Sequence, residues 1–339
     1  MNMWTDIIII LIKIALVLGG ILFTVAYLGL AERRISAFIQ DRRGPNRVGP
    51  FGMFQPIADG LKFFLKEDII PLEANRWMFL LAPAIIMIPA LLTFAVIPFG
   101  SPLTVFGRTI KLQIADVNIG ILYIFALTSL SVYGIVLGGW GSNSKYPLVG
   151  GLRCSAQMIS YELALGLSVI GVLMWAQSLR LPDIVNSQLQ MWNVIRQPVG
   201  FIIFICAAFA ETNRLPFDLA EAEQELVGGY HTEYSSMKFA MFYMAEYANI
   251  ITSSALAVTL FFGGWDVPIL DESSLGIWGV LISVLSFAIK TGIFLFIFIW
   301  VRWTLPRFRY DQLMKLGWKI LLPLALLNIL VTGFIISFF

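Results

Sequence analysis

The chain has 339 residues, 58% of them hydrophobic and only 13% charged, with a formal net charge of +2 and a mean hydropathy of +0.83. A soluble domain carries charge on about a quarter of its residues, so the composition excludes an ordinary water-soluble globular protein. Cys154 and Cys206 form no C-x-x-C pair and His231 is the sole histidine, which excludes an iron–sulfur cluster, a bis-histidine haem or a zinc centre held by this chain alone.

About 20 predominantly apolar residues cross a bilayer as a helix. Stretches of that kind lie at roughly 7–31, 77–99, 117–140, 158–177, 192–210, 239–263, 275–301 and 319–338. The runs are continuously apolar, without the alternation of a membrane barrel, and helices satisfy their own backbone in lipid. The expected fold is an all-α polytopic membrane protein with about eight transmembrane helices, a single transmembrane domain over 1–339.

The first run lacks a basic leader and passes into Glu32-Arg33-Arg34 without a small-residue cleavage site, which reads as a retained helix rather than a signal peptide. Lys13 near its outer end can snorkel to the interface. In the loop 32–76, the glycines of RRGPNRVGPFG (42–52) alternate with prolines, a pattern of turns rather than of a phosphate cradle. No G-x-x-x-x-G-K-[ST] or G-x-G-x-x-G stretch occurs. Residues 53–66 have helical period, with Gln55, Asp59, Lys62 and Lys66 on one side and Phe54, Ile57, Leu61 and Phe64 on the other. Such a helix suits the membrane surface, as a plain anchor or as the frame of a cavity for a molecule with a polar head and an apolar tail.

Further along, Glu162 falls about four residues into the apolar run that starts near 158. The run 192–210 ends at Glu211, which opens an acidic loop over 211–238. Within residues 210–234, Glu211, Asp218, Glu221, Glu223, Glu225 and Glu233 face the single cation Arg214. Glu246 lies about seven residues into the next run, and Lys290 near the middle of the one after. The last loop, WVRWTLPRFRYDQLMKLGWK (300–319), sets Arg302 at a helix end among aromatic residues.

Placing the N-terminus outside gives the loops 32–76, 141–157, 211–238 and 302–319 eight, two, two and five Lys or Arg, against Arg108, Lys111, Arg180 and Arg196 on the other side. The positive-inside rule then puts the acidic loop on the cytoplasmic side. The eight cations of 32–76 are accompanied by six acids and are explained by topology, so no nucleic-acid surface is expected. Charged groups cost roughly 2.5–3.5 kcal/mol at a helix centre on insertion scales and usually face protein or water. Glu211, Glu162, Glu246 and Lys290 step from the cytoplasmic edge towards the bilayer midplane, as a proton relay requires; unrelated interhelical hydrogen bonds are the alternative.

The segments AERRISAFIQDRRGPNRVGPFGMFQPIADGLKFFLKE, GGWGSNSKYPLVGGLRCSAQMISYE, AETNRLPFDLAEAEQELVGGYHTEYSS and PRFRYDQLMKLGWK resemble the membrane subunit of respiratory complex I that joins the membrane arm to the peripheral arm, the H-type subunit of bacteria and subunit 1 of mitochondria. The resemblance covers essentially the whole chain. It implies a subunit of a proton-translocating NADH:quinone oxidoreductase in a bacterial inner membrane, without a redox centre of its own. Ubiquinone or menaquinone is then the substrate, and NADH, FMN and iron–sulfur clusters belong to partner subunits. The partners implied are the peripheral-arm quinone-site and iron–sulfur subunits, small neighbouring membrane subunits and antiporter-like subunits. Carried over residue by residue, Arg33, Asp59 and Arg302 match the quinone chamber. Glu162, Glu211, Glu246 and Lys290 match a polar path, and Asp218, Glu221, Glu223 and Glu225 the acidic loop. Two other readings share the features: a connector subunit of a related membrane-bound hydrogenase or ferredoxin- or F420-linked dehydrogenase, and a stand-alone proton-coupled transporter. Internal repeats would mark the transporter, and none is evident between the halves.

Overall fold

The computed structural model describes residues 3–105, 108–219, 223–268 and 276–338. Helix α1 (Met3–Ile39) has 37 residues and is about 55 Å long at 1.5 Å per residue, well beyond the roughly 30 Å of a hydrocarbon core. The apolar run predicts an end near residue 31. Nothing breaks the helix there, because the first Gly-Pro pair stands at Gly44-Pro45, so Glu32, Arg33 and Ser36 sit on helical turns beyond the apolar stretch.

Helix α2 (Gln55–Leu65) is the expected amphipathic element, with a proline in its first turn. Ile57, Leu61, Phe64 and Leu65 are exposed. Its polar side meets α1, through Arg33 Nη1 donating to Asp59 Oδ2 at 2.7 Å, and Gln55 donates to Asp59 at 3.0 Å. The apolar face is thereby left outward, as a surface helix lying on lipid requires.

Helices α3 (Arg76–Leu92), α4 (Gly120–Gly141) and α5 (Lys145–Ala176) form an antiparallel series. A short hairpin, β1 (Leu103–Val105) with β2 (Arg108–Ile110), lies between α3 and α4. Gly150 of α5 allows one close approach: a Cβ there would lie 2.9 Å from the backbone of Gly229. The chain following the acidic loop can therefore rest directly on α5.

After α5 come two short helices, α6 (Leu181–Asn186) and α7 (Asn193–Arg196), then α8 (Pro198–Glu211). Hydropathy over 192–210 predicts one continuous helix. The break falls at Gln197, with φ −133° and ψ 57°, because proline at 198 disfavours helical geometry in the residue before it. Gln197 is buried and bonded to Thr332 at 2.8 Å and to Asn328 at 2.9 Å. At 14 residues, α8 is about 21 Å long, too short to span alone.

Helix α9 (Glu223–Leu226) is one turn within the acidic loop, and α10 (Ser236–Phe261) follows. Ile250 to Phe261 of α10 are all buried except Ser253. Its polar residues therefore face protein rather than lipid, which is how a membrane helix can hold Glu246, Asn249 and Thr252. Helix α11 (Ile277–Thr304) returns, and α12 (Tyr310–Lys315) leads through a π-helical stretch, Leu316–Leu321, into α13 (Leu322–Phe338).

Among the described residues six helices are long and apolar enough to cross a membrane, over 6–39, 76–95, 120–141, 145–176, 277–304 and 310–338. The other two predicted spans are the broken α7–α8 stretch and α10, whose charged and hydroxyl residues lower its hydropathy. The result is an all-α membrane protein with α10 packed inside it.

Candidate functional site

The extension of α1 delivers Glu32 to the centre of a buried charged cluster. Glu32 is 6% exposed and Arg214, from the loop after α8, is 3% exposed. Arg214 Nη1 approaches the two Glu32 oxygens at 3.4 and 3.5 Å. Its Nε lies 2.6 Å from Glu246 Oε1 of α10, off the N–H axis, as an ion pair. Tyr247 donates to Glu32 at 2.5 Å, while Arg302 of α11 also bonds Glu32. The Arg214 guanidinium lies 4.6 Å over the Tyr247 ring. Burial opposes its charge, and Glu246 and Glu32 outweigh that to hold its pKa well above the ordinary value. Two carboxylates thus face two guanidiniums, with Glu32 and Arg214 buried and Arg302 partly exposed. Arg214 Nη2 is buried with no hydrogen-bond partner.

Arg214 reaches this position because α8 ends on a fixed turn. Gln157 of α5 donates its side-chain amide to the carbonyls of Ala210 at 2.8 Å and Phe217 at 2.7 Å, and Asn213 takes a positive φ of 51°. That clamp sets Glu211 on one side of the turn and Arg214 on the other.

A cavity of about 290 Å³ opens beside the cluster, lined by Glu32, Arg33, Ser36, Tyr243, Tyr247 and Arg302 among others. Arg33, paired with Asp59, and Arg302, paired with Glu32, therefore border one space. Of the three residues assigned to the chamber from sequence, Arg33 and Arg302 line this space and Asp59 is tied to it through Arg33. Glu32 is not among them. Its signal is the spacing of Gly29, Glu32 and Ser36, a small and polar face that emerges only once the helix is carried past residue 31.

A second cluster lies between α4, α5 and α8. Ser129 donates to Glu162, and Glu211 is buried close to Thr128 and Glu162. The loop acids are held differently. Asp218, 8% exposed, accepts from Arg307 at 3.1 Å. Glu225 pairs with Arg153 at 2.7 Å. Glu223 opens α9, and Glu221 lies outside the described residues.

Lys290 stands apart from both clusters. Its ammonium donates to the carbonyls of Phe262 at 2.9 Å, Gly264 at 3.1 Å and Asp266 at 2.6 Å, and lies 5.0 Å over the Trp192 ring. These carbonyls belong to the C-terminal end of α10 and the turn after it, where a cation satisfies orphan acceptors and the helix dipole. Sequence depth alone places Lys290 at the end of the carboxylate series; the fold uses it as a cap on the helix that carries Glu246.

His231 follows the acidic loop with its ring against Tyr230 and Phe239, centroids 5.0 and 5.2 Å apart. Desolvation pushes its pKa down from the usual 6.5 to about 4, so the closed loop holds a neutral imidazole. Stability from this group is complete above pH 6.5 and is lost as pH falls towards 4, by up to about 3 kcal/mol. Amides 229–235 are expected to lose protection against hydrogen exchange between pH 7 and 5.5, after correction for intrinsic rates. A His231→Phe variant should abolish that difference; equal protection of the native segment at both values would contradict the assignment.

Among the described residues no group of three or more His, Cys, Asp or Glu is placed to hold a metal ion. The NADH dehydrogenase family model matches residues 12–333. The chain is 56% identical over 331 residues to the first of the H-type subunits of NADH-quinone oxidoreductase in Geobacter metallireducens, covering 98% of this chain and 97% of that protein. It is 56% identical over 326 residues to the second H-type subunit of the same enzyme in Geobacter sulfurreducens, covering 96% of each. A third relative, the first H-type subunit in Cytophaga hutchinsonii, is 54% identical over 319 residues, covering 92% of each.

Proposed function

The chain belongs to the NADH dehydrogenase family of bacterial complex I membrane subunits, and on that premise we propose that it forms part of the quinone chamber and couples quinone reduction to proton translocation through buried carboxylates. The carrying observation is the Glu32–Arg214–Glu246 cluster bordering the cavity that Arg33 and Arg302 line. The substrate is a quinone. The electrons, from NADH by way of flavin and iron–sulfur clusters, arrive in peripheral-arm partners, and antiporter-like membrane subunits receive the signal. The chain sits in the bacterial inner membrane with its N-terminus on the periplasmic side and the acidic loop facing the cytoplasm.

The coupling follows from the pairing. Arg302 bonds Glu32 at the cavity wall. Reduction of a quinone headgroup there develops negative charge on its oxygens, and Arg302 and Arg33 are the fixed donors nearest to it. Guanidinium that turns to the headgroup loosens its hold on Glu32. Glu32 shares Arg214 with Glu246, so a change in the pairing of either redistributes the pairing of the other. Across the Arg214 turn, the Glu211–Glu162 pair senses the same change and carries it into the helix bundle.

Arginine offers a planar fork of donors that lysine cannot copy. Arg33→Ala and Arg302→Ala are each expected to lower quinone reductase activity at least tenfold, the loss of one charge-assisted bond at the reacting headgroup. NADH–ferricyanide activity, which bypasses quinone, should stay near wild type in the same assembled preparations. Normal quinone turnover and inhibitor sensitivity in both variants would refute the chamber assignment.

A further inference from the structure

A larger cavity, about 570 Å³, lies between α1, α10 and α11, towards the N-terminal end of α1 and away from Glu32. Its walls are apolar and include Val17, Gly20, Ala288, Gly292 and Leu295. A Cβ added to Gly20 or Gly292 would meet nothing within 4 Å, so these glycines make no close helix contact inside the chain and open space separates them. The groove runs from Lys13 to Thr24 along α1, about 16 Å at 1.5 Å per residue.

Two polar features point to an occupant. At one end Lys13 Nζ donates to the Gln113 carbonyl at 3.2 Å and pairs with no carboxylate among the described residues. Nearby, Asp116 takes both Lys111 and Arg180, and Asp183 adds to Arg180. Hydrogen bonding from Arg180 holds the Asp116 carboxyl well below the usual range. Among the described residues, Asp116 and Asp183 offset Lys111 and Arg180, and no ion pair joins Lys13 to either acid. An ammonium has three donors, and one carbonyl leaves two for an anion. Further along the groove, Thr291 is 8% exposed and its hydroxyl has no hydrogen-bond partner, which is costly unless an acceptor is supplied.

We propose that this groove is a binding site for one anionic phospholipid, with the phosphodiester on Lys13, an ester carbonyl accepting from Thr291, and an acyl chain between α1 and α11. The volume lies within the range of ligand pockets. An apolar helix in the groove would supply no anion for Lys13 and no acceptor for Thr291. The site is independent of the quinone chamber, which lies at the other end of α1.

The test uses the intact complex in mild detergent, offered dioleoyl phosphatidylglycerol or dioleoyl phosphatidylcholine in mixed micelles, with retained lipid quantified after gel filtration. Wild type should retain phosphatidylglycerol in preference, and Lys13→Gln should weaken that retention roughly tenfold, as loss of a charge-assisted bond does. Lys13→Arg should preserve it. Gly292→Leu, which fills the groove without touching the charge, should expel the lipid, and this variant decides the matter should Lys13→Gln fail to assemble. Equal retention of the two lipids by wild type, or native retention in Gly292→Leu, would overturn the proposal. So would a photocrosslinker at Val17 that captures a neighbouring protein chain in place of lipid.

Discussion

Arg214→Leu is expected to destabilise this membrane protein by about 3–5 kcal/mol, the usual cost of stripping one partner from a buried ion pair. Arg214 is 3% exposed and is the cation common to Glu32 and Glu246. Without it, Arg302 is left to balance two buried carboxylates, and it touches only Glu32. Arg214→Lys should recover little, because a single ammonium cannot hold both acids in the fork that guanidinium provides. Adding Glu246→Leu to Arg214→Leu removes the orphaned charge and should restore most of the stability, with a large coupling energy in the double-mutant cycle. It should not restore proton pumping. Yield of assembled complex and its thermal unfolding read the first effect, and vesicle acidification reads the second. Wild-type unfolding of the Arg214→Leu complex would show that the cluster carries no electrostatic load.

The second large effect separates buried acids from loop acids. Glu246→Gln should cost most of the quinone turnover and the pumping, because this carboxylate shares the buried Arg214 with Glu32. Glu225→Gln should cost little. Its side chain is 58% exposed and its partner Arg153 33%, and exposed pairs contribute about 0–1 kcal/mol. Asp in place of Glu246 should retain more function than Gln, since the charge matters more than the reach. Equal losses in the Glu246→Gln and Glu225→Gln complexes would contradict this division.

Much of the architecture is legible in the chain because lipid imposes a simple rule: long apolar runs become helices. The exceptions have local causes. Pro198 breaks the run at 192–210, a stop written in the sequence but outweighed there by hydropathy. The continuation of α1 through Glu32 and Arg33 is masked by charge, which reads as the end of a span although it is no helix breaker. The residues proposed for the chamber, Arg33, Asp59 and Arg302, are reached through family resemblance, with the amphipathic period of α2 placing Asp59. The hub is not. Arg214 looks like an ordinary loop cation until Gln157 pins the turn after α8, and no local pattern encodes a contact between residues 157 and 217. Depth does not reveal that Lys290 donates to the carbonyls closing α10, a contact made across two helices.

Coupling requires the two clusters to act together, Glu32–Arg214–Glu246 beside the cavity and Glu162–Glu211 within the bundle. The most direct test is the Glu211→Gln, Glu246→Gln double variant, confirmed to assemble and sealed into inverted membrane vesicles. NADH:quinone turnover and proton uptake are followed in the same sample, with ferricyanide reduction as the control for intact electron entry. The expected result is native ferricyanide activity with both quinone turnover and proton uptake nearly abolished. Full turnover with full pumping would contradict the coupling and leave these carboxylates as elements of packing and topology.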